Sequence, residues 1–268
     1  MEKGVSVERA VELACNSVMN LKIETVVLSK SYGRTLAESL NSKVDDPRFD
    51  NSAMDGWAVC SSDFLSEITI LKIVGTSKAG KSQPLKIRAG QACQIMTGAP
   101  MPVGADAIVV VENSQVKEDT VTLTGPPNKN YIRKKSENLS LGEEALFAGM
   151  RMTAASISLA ATMGFAEIKV VKKPKIAIIS TGDELVSPGD ELSPGEIYES
   201  NSFGIAALIE KMGGTAIRFN PVTDTIDSLR SALNTAASEC DAILTSGGVS
   251  MGEWDFVRKL MEEEGDMK

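Results

Sequence analysis

The chain has 268 residues, 43% of them hydrophobic, which is enough for two or three domains with cores of their own. A formal net charge of -8 and a pI near 4.9 argue against nonspecific nucleic-acid binding, which depends on Lys and Arg neutralising phosphates. The absence of histidine removes Ser-His-Asp and Cys-His catalysis and imidazole metal sites, so chemistry must come from carboxylates, Lys/Arg, hydroxyls, backbone amides or a hard cation.

At the N-terminus, Glu2, Lys3, Glu8 and Arg9 leave no signal-peptide core, and no apolar run approaches the ~18 residues of a membrane span. The expectation is a soluble, cytoplasmic chain that meets neither membrane nor nucleic acid. The spacing of Val7, Ala10, Val11, Ala14, Val18 and Leu21 predicts an amphipathic helix from Ser6, its N-cap, to about Leu21. A short strand at Val26 to Leu28 and a helical piece near Arg34 to Leu40 follow, and Asp45-Asp46-Pro47 marks a boundary.

From Phe49 to about Gly125, short apolar runs at Trp57 to Val59, Ile68 to Val74, Ala92 to Met96, Ala107 to Val111 and Val121 to Leu123 predict a small β-rich domain. Two of its turns pair a Gly with a small or acidic polar group, Asn51 to Gly56 and Met96 to Pro100. Mixed structure returns from Tyr131 to Val171. Arg133-Lys134-Lys135 reads as a solvated face, Thr153 caps a helix from Ala154 to Met163 that Gly164 stops, and Glu167 to Val171 forms a strand. The four cysteines, Cys15, Cys60, Cys93 and Cys240, lack the spacing of a disulfide framework or a zinc site and are expected to be buried thiols.

Beyond Pro174, strands at Ile176 to Ser180, Thr215 to Phe219 and Ala242 to Thr245 alternate with helices at Ser202 to Met212, Ile226 to Glu239 and from about Asp255. Asn201 is the expected cap of the first helix and Gly213-Gly214 its stop. Strict alternation predicts right-handed βαβ units on a parallel sheet. The fold class is therefore α/β plus β-rich, in four segments: 1–44 and 131–172 as two parts of a mixed α/β linker domain, 45–130 as a β-rich lobe, and 173–268 as a parallel, doubly wound sheet domain.

Ligands of such sheets bind at the carboxyl ends of the strands, which makes Thr181, Gly182, Asp183 and Glu184 candidates. The third strand runs into Ser246-Gly247-Gly248-Val249-Ser250-Met251-Gly252-Glu253, a loop able to turn several backbone N–H groups toward an anion. It matches neither a Walker A loop nor a G-x-G-x-x-G fingerprint. Glu184, Asp224 and Asp255 each follow one parallel strand. Crowded carboxylates repel unless they share a cation, and an all-oxygen set suits Mg²⁺, so the residues point to an Mg²⁺-assisted site for a phosphorylated ligand. The alternative is three surface acids at helix starts.

Four motifs carry a resemblance: Phe49-Asp50-Asn51-Ser52-Ala53-Met54-Asp55-Gly56-Trp57-Ala58-Val59; Ile95 to Pro100 with Gly104 to Ala107; Ser180 to Leu185; and Thr245 to Glu253. In this order, across nearly the whole chain, they resemble the molybdopterin molybdotransferase family (the molybdenum insertases, MoeA), which includes the C-terminal domain of gephyrin. The resemblance implies insertion of molybdate into adenylylated molybdopterin with Mg²⁺-dependent release of AMP, by a homodimer supplied by a molybdopterin adenylyltransferase. It implies Mg²⁺ held by Glu184 and Asp255, and functional roles for Asp55, Thr97 and Asp224. It also implies a pterin and nucleotide pocket lined by Thr181, Gly182, Asp183, Ser246, Gly247, Gly248 and Ser250. Asn138 stands where the family carries Asp. The chain stops at Lys268, before the family's Lys-Pro-Gly-Lys segment, its Pro-Gly-Asn-Pro turn and its final β domain. The expectation drawn from this is pterin binding with poor molybdate insertion unless another polypeptide supplies those lysines. A non-catalytic pterin-binding or scaffold protein of the gephyrin type is the second reading.

Overall fold

The computed structural model describes residues 5–16, 21–80, 85–247 and 256–264. It forms two compact units, one from Met1–Val26, Ser31–Ala37 and Lys169–Lys268, the other from Val27–Lys30 and Glu38–Ile168.

The second unit is built on a six-stranded sheet in the order Ala107–Val110, Gly56–Val59, Gln91–Ile95, Thr69–Ser77, Thr120–Leu123, Ser114–Lys117. Every pairing is antiparallel except that of Thr69–Ser77 with Gln91–Ile95. The strand Gly56–Val59 is buried on both faces. Trp57 and Val59 enter one core with Leu71, Val109, Val121 and Leu123, while Ala58 enters another with Cys93, Ile95, Ile108 and Ile132. This two-sided burial explains why the segment reads as an unbroken apolar run and not as an alternation. The strand Ser114–Lys117 escapes sequence reading because it is an exposed edge with a single apolar residue, Val116, and so carries no hydrophobic pattern.

Two short ladders extend this unit, Asn51–Ser52 with Ile132–Arg133 and Leu40–Asn41 with Glu144–Leu146. Its helix, Ala154–Thr162, starts on a reciprocal capping box between Thr153 and Ser156 and stops before Gly164 at φ +88°.

In the first unit, Ser6 Oγ accepts the amide of Arg9 at 3.2 Å and starts the helix Val7–Asn16. The expected run to Leu21 crosses 17–20, outside the described residues. Ile23–Val27 pairs with Glu167–Val171. The helix expected near Arg34 to Leu40 does not form. Thr35 O accepts the amide of Val171 at 2.8 Å, the Ala37 amide donates to Lys169 O at 3.0 Å, and Leu36 bridges Val170 with its side chain 1% exposed. Burying Leu36, worth about 1.5–3 kcal/mol, outweighs helix propensity that amounts to tenths of a kcal/mol per residue.

The parallel sheet places Lys175–Ser180 between Thr215–Arg218 and Ala242–Ser246. Ala177 and Ile179 pack with Leu229 and Ala236 of the helix Ile226–Glu239 and with Val257 and Leu260 of the helix Phe256–Glu264. The helix Asn201–Met212 packs on the strands Lys175–Ser180 and Thr215–Arg218 and ends at Gly213 with φ +98°. Between the first strand and this helix, Leu185–Val186 and Ile197–Tyr198 form a short parallel ladder. Of the four cysteines only Cys93 is buried, and Cys15 is exposed.

Candidate functional site

The carboxyl edge of the parallel sheet gathers three segments. The Thr181 amide donates to Ser246 O at 3.1 Å, the Val222 amide donates to Ser180 O at 2.9 Å, and Gly182 lies beside Val222. The Asp224 amide donates to Asp183 Oδ1 at 3.0 Å, which ties the loop after the second strand to the loop after the first. Thr181, Gly182, Asp183, Glu184, Asp224, Ser246 and Gly247 therefore share one edge. Gly248, Ser250 and Asp255 lie outside the described residues.

Close packing explains the two glycines. At Gly247, with φ +98°, a Cβ would lie 2.5 Å from Thr181 O and 3.0 Å from Thr181 Oγ1. At Gly182, with φ +149°, it would lie 2.5 Å from Glu184 Oε2, because the carboxylate of Glu184 folds back over the glycine. Thr181 is 6% exposed, and its hydroxyl has no hydrogen-bond partner among the described residues. A buried hydroxyl in this state is a ready contact for a ligand polar atom.

The electrostatics of the edge are those of crowded acids. Burial first, and then the charges of Asp183 and Glu184, push the Asp224 carboxyl above its usual range. Among the described residues no group of three or more His, Cys, Asp or Glu side chains is arranged to hold a metal ion. The donors are nonetheless all carboxylate and hydroxyl oxygens, the chemistry of a hard divalent cation, and neutralising their repulsion is what such a cation would do. The acid that joins Glu184 and Asp224 here is Asp183.

Asp55 and Thr97 belong to the other unit. Asp55 Oδ1 accepts both the Thr97 amide at 2.7 Å and the Thr97 hydroxyl at 3.0 Å, and these bonds, the amide's first, hold the Asp55 carboxyl below its usual value. The two turns carrying them are joined through the Gly98 amide, which donates to Ser52 O at 2.8 Å. Gly56 is required because a Cβ there would lie 2.1 Å from Val109 O in the adjacent strand.

The same unit holds a cleft of about 520 Å³ lined by Arg48, Phe49, Asn51, Arg133 and Asn138 among others. All three residues of the Arg133-Lys134-Lys135 triplet are exposed, as the sequence suggests, but they divide the work. Lys134 pairs with Asp50 at 2.9 Å and Lys135 with Asp45 at 3.0 Å, while Arg133 lines the cleft. Asn138 Nδ2 donates to Asp46 Oδ2 at 3.0 Å, which an Asp at this position could not do while ionised.

Sequence reasoning missed Glu199. It is an acid 3% exposed, bonded to Ser180 and Ser202, and it does the capping expected of Asn201. Asn201 instead donates its side-chain amide to Ser246 Oγ at 2.9 Å. Glu199 stands two residues before the helix Asn201–Met212, where an acid is common, and nothing local in the sequence marks it as buried.

Residues 5–164 match the MoeA N-terminal region (domain I and II), and residues 177–268 match a probable molybdopterin binding domain. The chain is 37% identical over 246 residues to a molybdopterin molybdenumtransferase of Haemophilus influenzae, covering 91% of this chain and 61% of that protein. It is 36% identical over 247 residues to one from a Nostoc species, covering 90% of this chain and 57% of that protein. The chain thus spans about three fifths of these curated relatives. Among solved structures it resembles a molybdopterin biosynthesis MoeA protein from Pyrococcus horikoshii, with a TM-score of 0.84 and 32% identity over 97% of this chain and 67% of that one.

Proposed function

Because the chain belongs to the MoeA family, we propose that it serves molybdenum cofactor biosynthesis as a molybdopterin molybdenumtransferase acting on adenylylated molybdopterin and molybdate. The observation that carries this reading is the sheet edge itself. It has at Thr181 a buried hydroxyl without a partner among the described residues, a neighbouring backbone at Gly247 too close to admit a side chain, and three acids within one another's field.

In this reading the nucleotide-linked pterin lies along Thr181, Gly182, Asp183, Ser246 and Gly247, with Gly248 and Ser250 continuing the cradle. The amides of Thr181 and Gly182 are already spent on Ser246 O and Val222 O, so the hydroxyls of Thr181 and Ser246 are the side-chain donors available to phosphate oxygens. Glu184 and Asp255 would hold Mg²⁺, which would neutralise phosphate charge, and Asp183 and Asp224 lie near Glu184 on the same edge. Asp224, whose carboxyl is pushed above its usual range by burial and by the charges of Asp183 and Glu184, is an acid whose charge a cation at this edge would offset. Asp55 and Thr97 act as a prearranged pair that presents a carboxylate with fixed direction.

The division into a linker domain, 1–44 with 131–172, a β-rich lobe, 45–130, and a doubly wound sheet domain, 173–268, belongs to the same proposal. So does a homodimer. The helix Val7–Asn16 has no buried residue, and Val7 and Val11, one turn apart, are 77% and 57% exposed, a face that a second copy would cover. A molybdopterin adenylyltransferase would supply the substrate in the cytoplasm, and among the described residues no helix is long and apolar enough to cross a membrane.

The test is molybdate- and Mg²⁺-dependent release of AMP from adenylylated molybdopterin by the chain. Release that Glu184→Gln abolishes supports the transferase reading. Tight binding without release supports a pterin-binding scaffold, and neither binding nor release removes both.

A further inference from the structure

We propose that Glu199 is a positioning residue for this site: its buried carboxylate locks the end of the central strand to the start of the following helix and thereby fixes the loop Thr181 to Glu184 and the base of the loop after Ser246. This rests on the reading of the sheet edge as the nucleotide-pterin site.

Glu199 is 3% exposed and its carboxylate is fully engaged. Oε1 accepts the Ser202 amide at 2.7 Å and the Ser180 hydroxyl at 3.1 Å, and Oε2 accepts the Ser202 hydroxyl at 2.5 Å. Arg218 completes the cluster from the neighbouring strand. Its Nε donates to Ser202 Oγ at 2.8 Å, its Nη2 lies 3.9 Å from Glu199 Oε2, and its guanidinium stacks 3.2 Å over the Phe203 ring. Burial raises the proton affinity of Glu199, but the Ser202 and Ser180 bonds and the Arg218 charge outweigh it, so the group stays ionised.

Leaving a buried charge this well paired without its partners is strongly unfavourable, so the three elements it joins are held together. Ser180 immediately precedes Thr181. The Glu199 amide donates to Val186 O at 2.9 Å and the Ile197 amide donates to Glu184 O at 2.8 Å, so the far end of the Thr181 to Glu184 loop is tied to the same short ladder that carries Glu199. Asn201, the first residue of the helix that Glu199 caps, reaches Ser246 Oγ at 2.9 Å. Both loops of the proposed site are thus referenced to one carboxylate. Glu199 also occupies the start of the helix Asn201–Met212 and satisfies its Ser202 amide, which directs an incoming anion away from that helix and toward Thr181 and Ser246.

The experiment compares the wild-type chain with Glu199→Gln, Ser180→Ala and Leu229→Val, the last a core substitution outside the hydrogen-bonded cluster. Amide hydrogen exchange is read along the first unit, and AMP binding in the presence of Mg²⁺ is read by calorimetry. Glu199→Gln should raise exchange at Thr181 and Gly182 at least about tenfold relative to Ile178 and Ile179, and weaken AMP by a similar factor. Ser180→Ala should reproduce the effect at Thr181 more weakly, which keeps the test usable if Glu199→Gln does not fold. Leu229→Val should raise exchange evenly, without singling out the loop. Even exchange in the Glu199 and Ser180 variants overturns the positioning role whatever AMP does. Selective loop exchange in a chain whose wild type does not bind AMP supports the positioning and removes the nucleotide reading of the site.

Discussion

One carboxylate oxygen of Asp55 accepts two hydrogen bonds from Thr97, a residue 42 positions further along the chain, through its amide at 2.7 Å and its hydroxyl at 3.0 Å. The pair directs an exposed carboxylate without burying it, an arrangement that costs stability little and fixes orientation. Thr97→Val removes the hydroxyl and keeps the amide, so its effect on folding should stay within about 1 kcal/mol. Asp55→Ala should leave the fold intact and lower AMP release by an order of magnitude or more. Wild-type release from Asp55→Ala would remove Asp55 from the mechanism.

Acid should loosen the second unit through a defined set of carboxylates. Asp45, bonded first by the Leu141 amide and then by Lys135 and Ser136, and Asp106, bonded first by Lys129 and then by Ser61, both have pKa values lowered to about 2. A lowered folded pKa gives stability that is complete above the unfolded value near 4 and is lost as pH falls toward 2. The double variant Asp45→Asn with Asp106→Asn should therefore show a shallower fall in unfolding midpoint between about pH 4 and pH 2 than wild type. Equal slopes would show that these bonds do not differ between folded and unfolded states.

Asp224 should behave in the opposite sense. Its folded pKa is raised by burial and by Asp183 and Glu184, so its charge opposes folding at neutral pH and the penalty fades as pH falls through the raised value. Asp224→Asn should raise the thermal midpoint at pH 7 by roughly a degree or two, after allowance for solvent screening, with no gain at pH 3. Added Mg²⁺ should narrow the difference from wild type. A variant less stable than wild type at pH 7 would show that the acids are not in conflict.

The Gly247 backbone tests the close approach of the two loops. Gly247→Ala places a methyl 2.5 Å from a carbonyl oxygen at a positive φ, so it should destabilise the first unit by about 1–3 kcal/mol and reduce AMP affinity more than any surface substitution nearby. Unchanged affinity would place the ligand away from Thr181.

Val7→Asp with Val11→Asp should convert a dimer at tens of micromolar chain to monomer in sedimentation experiments without changing the unfolding midpoint of the second unit. A wild-type chain that is monomeric at that concentration would remove the homodimer.

Much of the architecture was legible because its signals are local. The run Ile176 to Ser180 reads as a buried parallel strand and is one, and the capping of Ala154–Thr162 by Thr153 is written in the sequence. The exposed edge strand Ser114–Lys117 was not legible, since it buries little. The segment Arg34 to Leu40 misleads because its helical spacing yields to pairing with Lys169 to Val171, more than a hundred residues away. At the site, the strand ends point to Thr181, Asp183 and Glu184, while Glu199 stays hidden because a buried acid and an exposed one look alike until the tertiary partners Ser180, Ser202 and Arg218 are known.

Calorimetry of the chain with adenylylated molybdopterin, with and without Mg²⁺, decides whether the carboxyl edge of the parallel sheet binds a nucleotide-linked pterin together with the cation. Saturable binding is expected, tightened by Mg²⁺ about tenfold or more in wild type and much less in Glu184→Gln. Binding that is absent, or equally tight without Mg²⁺ and in Glu184→Gln, would contradict it.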